Sequence, residues 1–171
     1  LTALVASFAA EARADVSSWL TLGTGAQKFQ GLGLKRDIVP SLRLATGLGS
    51  DPSRAWVLGG LVRMDTLFGY GTDLSFSMRW ANHGFVNGQW GLAVDAGPIA
   101  RLWGHTTYGA TTTLTVGGPW GIETGVQAAI GDDNLETYGV FLAIDLARLT
   151  VYRRSGTSYW KNSFPAYRPT E

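Results

Sequence analysis

The sequence predicts an all-β protein, an antiparallel up-and-down β-barrel of eight strands with ten as the alternative, and three observations carry that expectation. Apolar and small or polar side chains alternate in segments of roughly ten residues. Short runs rich in Gly, Asn, Asp and Pro separate those segments, as turn dihedrals require. Finally, the 171 residues include 23 Gly and 7 Trp, yet only 16 % are charged, against roughly 25 % in ordinary soluble domains. Three of the cations are lysines (Lys28, Lys35 and Lys161). An aromatic content of 12 % argues against disorder. The absence of Cys excludes disulfides and thiolate metal or redox sites. A net charge of +1 gives no footprint for nucleic acid.

In chain order, Leu1–Ala10 is an apolar run, followed by Ala12 and Ala14 in an A-x-A pattern. This reads as the remnant of a secretory signal peptide over 1–14, with export expected. Residues 15–154 form the predicted barrel domain, with strands at 16–26, 39–48, 55–67, 73–81, 89–99, 107–117, 120–130 and 137–147. A continuation at 149–153, with Arg148–Tyr152 as a candidate ninth strand, and a tail or short extra strand over 155–171 complete the reading.

The fourth segment shows the pattern that each strand repeats. Leu74, Phe76, Met78 and Trp80 fall on one face, and Asp73, Ser75, Ser77 and Arg79 on the other. In the eighth, Tyr138, Val140, Leu142, Ile144 and Leu146 oppose Gly139, Phe141, Ala143 and Asp145. Periodicity alone leaves open which face is inside. A soluble lipocalin-like barrel would bury the apolar face, whereas a transmembrane barrel turns it to lipid.

Three features favour the transmembrane β-barrel. The polar face is made of Gly, Ala, Ser and Thr with isolated charges, without the Lys and Glu density of a solvated surface. Small inward side chains are what a narrow lumen accommodates. The large rings Trp56, Trp80, Trp90, Tyr108, Trp120 and Tyr138 stand at strand ends, where amphipathic aromatics suit both membrane interfaces. If the first strand rises from the periplasm, the four Trp share the periplasmic rim and the two Tyr the outer one.

Over about residues 16–147 this arrangement resembles the small bacterial outer-membrane barrels of the OmpA/OmpX type. The resemblance implies an integral outer-membrane protein in contact with the lipid bilayer and lipopolysaccharide, with a structural or surface-interaction role and no catalysis. A secreted soluble barrel carrying an apolar ligand is the alternative. An outer-membrane lipid-modifying hydrolase is a third reading, because Arg79–Gly84 is similar to the His-containing strand of lipid A deacylases. The serine nucleophile that should follow is missing.

On the membrane reading the lumen holds Arg43, Arg63, Asp65, Asp73, Arg79, Asp95, Glu123 and Asp145, which must pair because isolated buried charge is costly. Depth counting along the strands pairs Arg63 with Asp73. It also sets Glu123 beside Asp145, with Arg79 as the bridge between them. Paired acids can serve acid–base chemistry, but a packed lumen leaves no room for substrate, so no catalytic residue is expected. His83 and His105 lie in turns outside any metal-ligand spacing, and no metal or cofactor is expected. Lys28–Arg36 reads as a cationic, Gly-rich loop, with lipopolysaccharide phosphates as its alternative contact.

Overall fold

A computed structural model describes residues 17–30, 38–51, 54–82, 85, 90–104, 106–118, 121–132 and 135–147. Eight strands run through them in order: β1 (Ser17–Gln30), β2 (Ile38–Gly49), β3 (Trp56–Leu67), β4 (Gly71–Asn82), β5 (Gly91–Arg101), β6 (Thr107–Gly117), β7 (Ile122–Gly131) and β8 (Glu136–Asp145). Each strand pairs antiparallel with the next, and β1 closes on β8 through a register that includes Gly23 opposite Ala143. Closure leaves no unpaired sheet edge. The expected signal segment over 1–14, the continuation at 149–153 and the tail over 155–171 lie outside the described residues.

Two strands outrun the boundaries that turn composition suggested. β1 carries its alternation through Gln27 (inward), Lys28 (outward) and Phe29 (inward) to Gln30. Lys28–Gln30 therefore belong to the barrel wall, not to the loop expected over 28–36. β5 continues past Pro98 to Arg101, with Ile99 and Arg101 both inward. Proline, which has no N–H to donate, is tolerated because the β4–β5 ladder is interrupted beside it, between Ser75–Ile99 and Met78–Ala96.

Strand starts and ends gather at two rims. The first carries Ser17, Gly49, Trp56, Asn82, Gly91 and Gly117; the second carries Gln30, Ile38, Leu67, Gly71, Arg101 and Glu136. At the second rim β3 turns into β4 across Leu67–Tyr70, closed by a 3.1 Å bond from the Tyr70 N–H to the Leu67 carbonyl. Gly69 sits at the third position with φ +83°, where a residue without a Cβ is favoured.

Each rim is stoppered by an apolar cluster inside the barrel. Trp19, Ala45, Val57, Leu61, Ala81, Phe85 and Ala93 pack together towards the first rim. Phe29, Val39, Leu67 and Leu135, with Tyr70 and Trp103 against them, fill the second. Phe29, Tyr70 and Trp103 form a ring triad with centroids 5.5–5.6 Å apart.

The first stopper depends on close backbone approach. A Cβ on Gly59 would lie 2.7 Å from the Trp19 ring and 2.4 Å from the Leu48 carbonyl oxygen. The neighbouring Gly60 points outward, with its nearest atom, on Phe76, at 3.8 Å. Gly59→Val is therefore expected to cost about 1–3 kcal/mol through overpacking. Gly60→Val should cost little, and urea midpoints of the two variants provide the comparison.

The wall itself is inverted relative to a water-soluble core. Every one of the eight strands turns Leu, Val, Ile, Met or Phe side chains outward at its alternate positions. Among the described strand residues, the outward face carries only two charges, Lys28 and Glu136. Outward threonines return their hydroxyls to the wall: Thr24 donates to the Ser41 carbonyl, Thr112 to Asp95 and Thr124 to Phe141, at 2.9–3.2 Å. Their methyl groups are what remains to meet the surroundings.

Candidate functional site

Between the two stoppers the lumen is polar. Among the described residues nine charged side chains point into it: Arg43, Arg63, Arg79, Arg101, Asp65, Asp73, Asp95, Glu123 and Asp145, none more than 5 % exposed. They are inward because each occupies the alternate position to an outward Leu, Val, Met or other uncharged residue on its strand. Burying them in a barrel this narrow requires partners, and the partners form three levels.

At the middle level, Arg43 holds Asp65 in a fork, Nε to Oδ1 at 2.7 Å and Nη2 to Oδ2 at 3.2 Å. The Arg63 Nε lies 3.2 Å from the same carboxylate. Arg43 also donates across the lumen to the Gln127 side-chain carbonyl, and its guanidinium lies 3.8 Å from the centre of the Phe141 ring. Arg63 crosses from β3 to β6, donating to the hydroxyls of Thr113 at 2.6 Å and Thr111 at 3.1 Å.

Towards the first rim, Arg79 holds Asp95 in a second fork at 2.7 and 2.9 Å. The rings of Trp19 and Phe85 lie 5.2 and 5.4 Å from its guanidinium carbon, within cation–π range. Glu123 and Asp145 are close enough to act electrostatically on Arg79. Asp145 also accepts the Leu20 N–H at 3.3 Å.

Towards the second rim, the Trp103 indole donates to Asp73 at 2.7 Å. Arg101 donates to the Leu135 carbonyl at 2.8 Å and to the Thr137 hydroxyl at 2.6 Å. Its reach from β5 to β8 is a third cross-brace, after Arg43 to β7 and Arg63 to β6.

The register corrects one expected pairing and shifts the level of another. Arg63 stands opposite Ser75, and Asp65 opposite Asp73. Arg63 therefore takes Asp65, two residues along its own strand and on the same face, while Asp73 takes Trp103. Glu123 stands opposite Ala143, so Asp145 lies two residues nearer the first rim than the expected level. The two acids are both felt by Arg79, whose fork is nevertheless spent on Asp95.

Arg101 is the charged lumen residue that the sequence reading missed. Its signal was the unbroken alternation Asp95, Gly97, Ile99, Arg101, obscured by ending the strand at residue 99. The inward rings Trp19, Phe85 and Trp103 were missed as well, since periodicity does not separate an aromatic that plugs a rim from one that girdles it.

The aromatics expected at the membrane interfaces divide as follows. Trp56, Trp80 and Trp90 are exposed at the first rim, with the Trp56 and Trp80 rings 4.7 Å apart. Tyr108 and Tyr138 are exposed at the second. Trp120, His83 and His105 lie outside the described residues. Among the described residues no group of three His, Asp or Glu is arranged to hold a metal ion.

Chemically, this interior is a set of braces. Most of the named guanidinium and carboxylate groups are held by partners on other strands, and both ends of the polar zone are closed by apolar packing. Compared with known proteins, the chain matches no family model and no curated protein.

Proposed function

We propose that the chain is an integral outer-membrane β-barrel with a filled, charge-braced lumen, serving a structural or surface-interaction role without a catalytic step. One observation carries this reading. The outward face of all eight strands is apolar, with Lys28 and Glu136 the only charges among the described strand residues and both at one rim. Such a surface is costly in water and favourable in hydrocarbon. Strand lengths of 10–14 residues suit tilted spans, for which about 9–11 residues are needed. A soluble carrier of an apolar ligand would need the opposite orientation, with its apolar face around the ligand.

The partner this reading implies is the lipid bilayer itself. The test is refolding from urea into lipid vesicles. An inserted barrel gives unboiled samples that migrate differently from boiled ones, and planar bilayers holding it pass no steady ionic current. Identical migration would contradict insertion, and stepwise currents would contradict the filled lumen.

A further inference from the structure

The outer wall is not uniformly convex. An open groove of about 510 Å³ crosses β6, β7, β8 and β1 on the outside of the barrel, a volume within the roughly 300–1,000 Å³ of small-molecule sites. Two outward rows of residues form it. One runs through Ala26, Val140, Val126 and Leu114, which are register partners from strand to strand. The other runs through Lys28, Tyr138, Ala128 and Thr112, again partner to partner. The groove is shaped by size: Ala26 and Ala128 are short where their neighbours are long. Thr112 gives its hydroxyl to the Asp95 carbonyl and so presents a methyl group.

On the side of the second rim the groove is bounded by Lys28 and Tyr138, with Glu136 just beyond them. Lys28 stands opposite Tyr138 on β8. The Tyr138 hydroxyl donates to Glu136 at 2.8 Å. Lys28 makes no ion pair with a described residue, so its ammonium is available at the mouth of an apolar channel. An occupant that satisfies both parts has an acyl chain and a phosphate joined through a polar headgroup. The hydrogen-bonding Glu136–Tyr138 pair beside the lysine suits sugar hydroxyls.

We propose that this groove binds a lipid of the lipid A type, a phosphorylated and multiply acylated diglucosamine. One acyl chain lies along Ala26, Ala128, Val126 and Leu114, a phosphate meets Lys28, and sugar hydroxyls meet Glu136 and Tyr138. The inference rests on the membrane reading above and adds a specific ligand to it.

The test is native mass spectrometry of the full chain purified in mild detergent, titrated with lipid A, dephosphorylated lipid A or phosphatidylethanolamine. Lipid A should be retained most strongly. Lys28→Gln should weaken retention by at least roughly threefold, as expected for loss of an exposed charge pair, and should erase the preference over the dephosphorylated form. Ala128→Leu fills the groove and should lower retention of both glycolipids. Glu136→Gln keeps hydrogen bonding to sugar and should leave retention unchanged or raise it. Each variant is first checked for the heat-dependent gel migration of the folded barrel.

Equal retention of lipid A and phosphatidylethanolamine, or no effect of both Lys28→Gln and Ala128→Leu in folded protein, would overturn the proposal. Those results leave the barrel in the membrane. Release of the protein from membranes without detergent is the separate outcome that would remove the underlying reading.

Discussion

Arg79→Met is expected to be the most destabilising single substitution in the lumen. The guanidinium holds Asp95 through two bonds of 2.7 and 2.9 Å and is also the cation felt by Glu123 and Asp145. Methionine fills much of the same volume, so the loss is chiefly electrostatic. Removing one member of a buried ion pair typically costs about 3–5 kcal/mol, because the partner is left as an uncompensated buried charge. Here Asp95 loses its fork and two further acids lose the cation that acts on them. The exposed Arg54 provides the control, since Arg54→Met should change stability by no more than about 0.5 kcal/mol. Urea-unfolding midpoints of both variants in the same detergent or vesicles measure the difference. Equal midpoints would show that the fork is not a brace. The double variant Arg79→Met with Asp95→Leu should recover only part of the loss, because Glu123 and Asp145 remain.

The second large effect concerns the opposite face. Leu44 points outward near the middle of β2, with Ile38 at the end of the same strand. If the wall meets hydrocarbon, Leu44→Lys should cost about 2–4 kcal/mol, while a lysine near the interface costs about 0–1 kcal/mol. Ile38→Lys should therefore be well tolerated. On a wall that faces water, both substitutions would fall within about 0.5 kcal/mol of neutral. Folding free energies in lipid vesicles give the comparison, and the depth dependence is the informative part. A flat profile from residue 38 to residue 44 would point away from a bilayer.

The barrel was legible in the sequence because period-two alternation survives in each strand. Leu74, Phe76, Met78 and Trp80 against Asp73, Ser75, Ser77 and Arg79 already separate the two faces, and the structure turns the first set out and the second in. The ends were less legible. The cationic, Gly-rich composition of Lys28–Arg36 reads as a loop, whereas Lys28–Gln30 continue β1. The strand expected over 89–99 stops two residues short of Arg101, which lies at the end of β5. The pairing of charges was the least legible feature, because partners depend on register across strands, which depth counting along one strand does not supply. Arg63 with Asp65 is the exception: two residues apart on one face of β3, they needed no register at all. The cross-lumen reach of Arg43 to Gln127 and of Arg63 to Thr113 follows from barrel closure. No local pattern contains it.

The same closure explains why the interior resembles a truss. In an eight-stranded barrel inward side chains from opposite walls meet, so a long arginine can tie β2 to β7 or β3 to β6. Apolar clusters at both rims then limit exchange between this polar zone and its surroundings. The energetic consequence is that lumen charges are worth more than surface ones, because desolvation makes every unpaired partner costly. On the proposed function, the molecule offers its outer wall and its rims for contact, and uses its interior for rigidity.

Alkaline carbonate extraction of membranes from cells expressing the full chain tests the membrane assignment most directly. An integral barrel with this outward apolar wall stays in the pellet and enters solution only with detergent. Recovery of the chain in the carbonate supernatant, free of detergent, would contradict it.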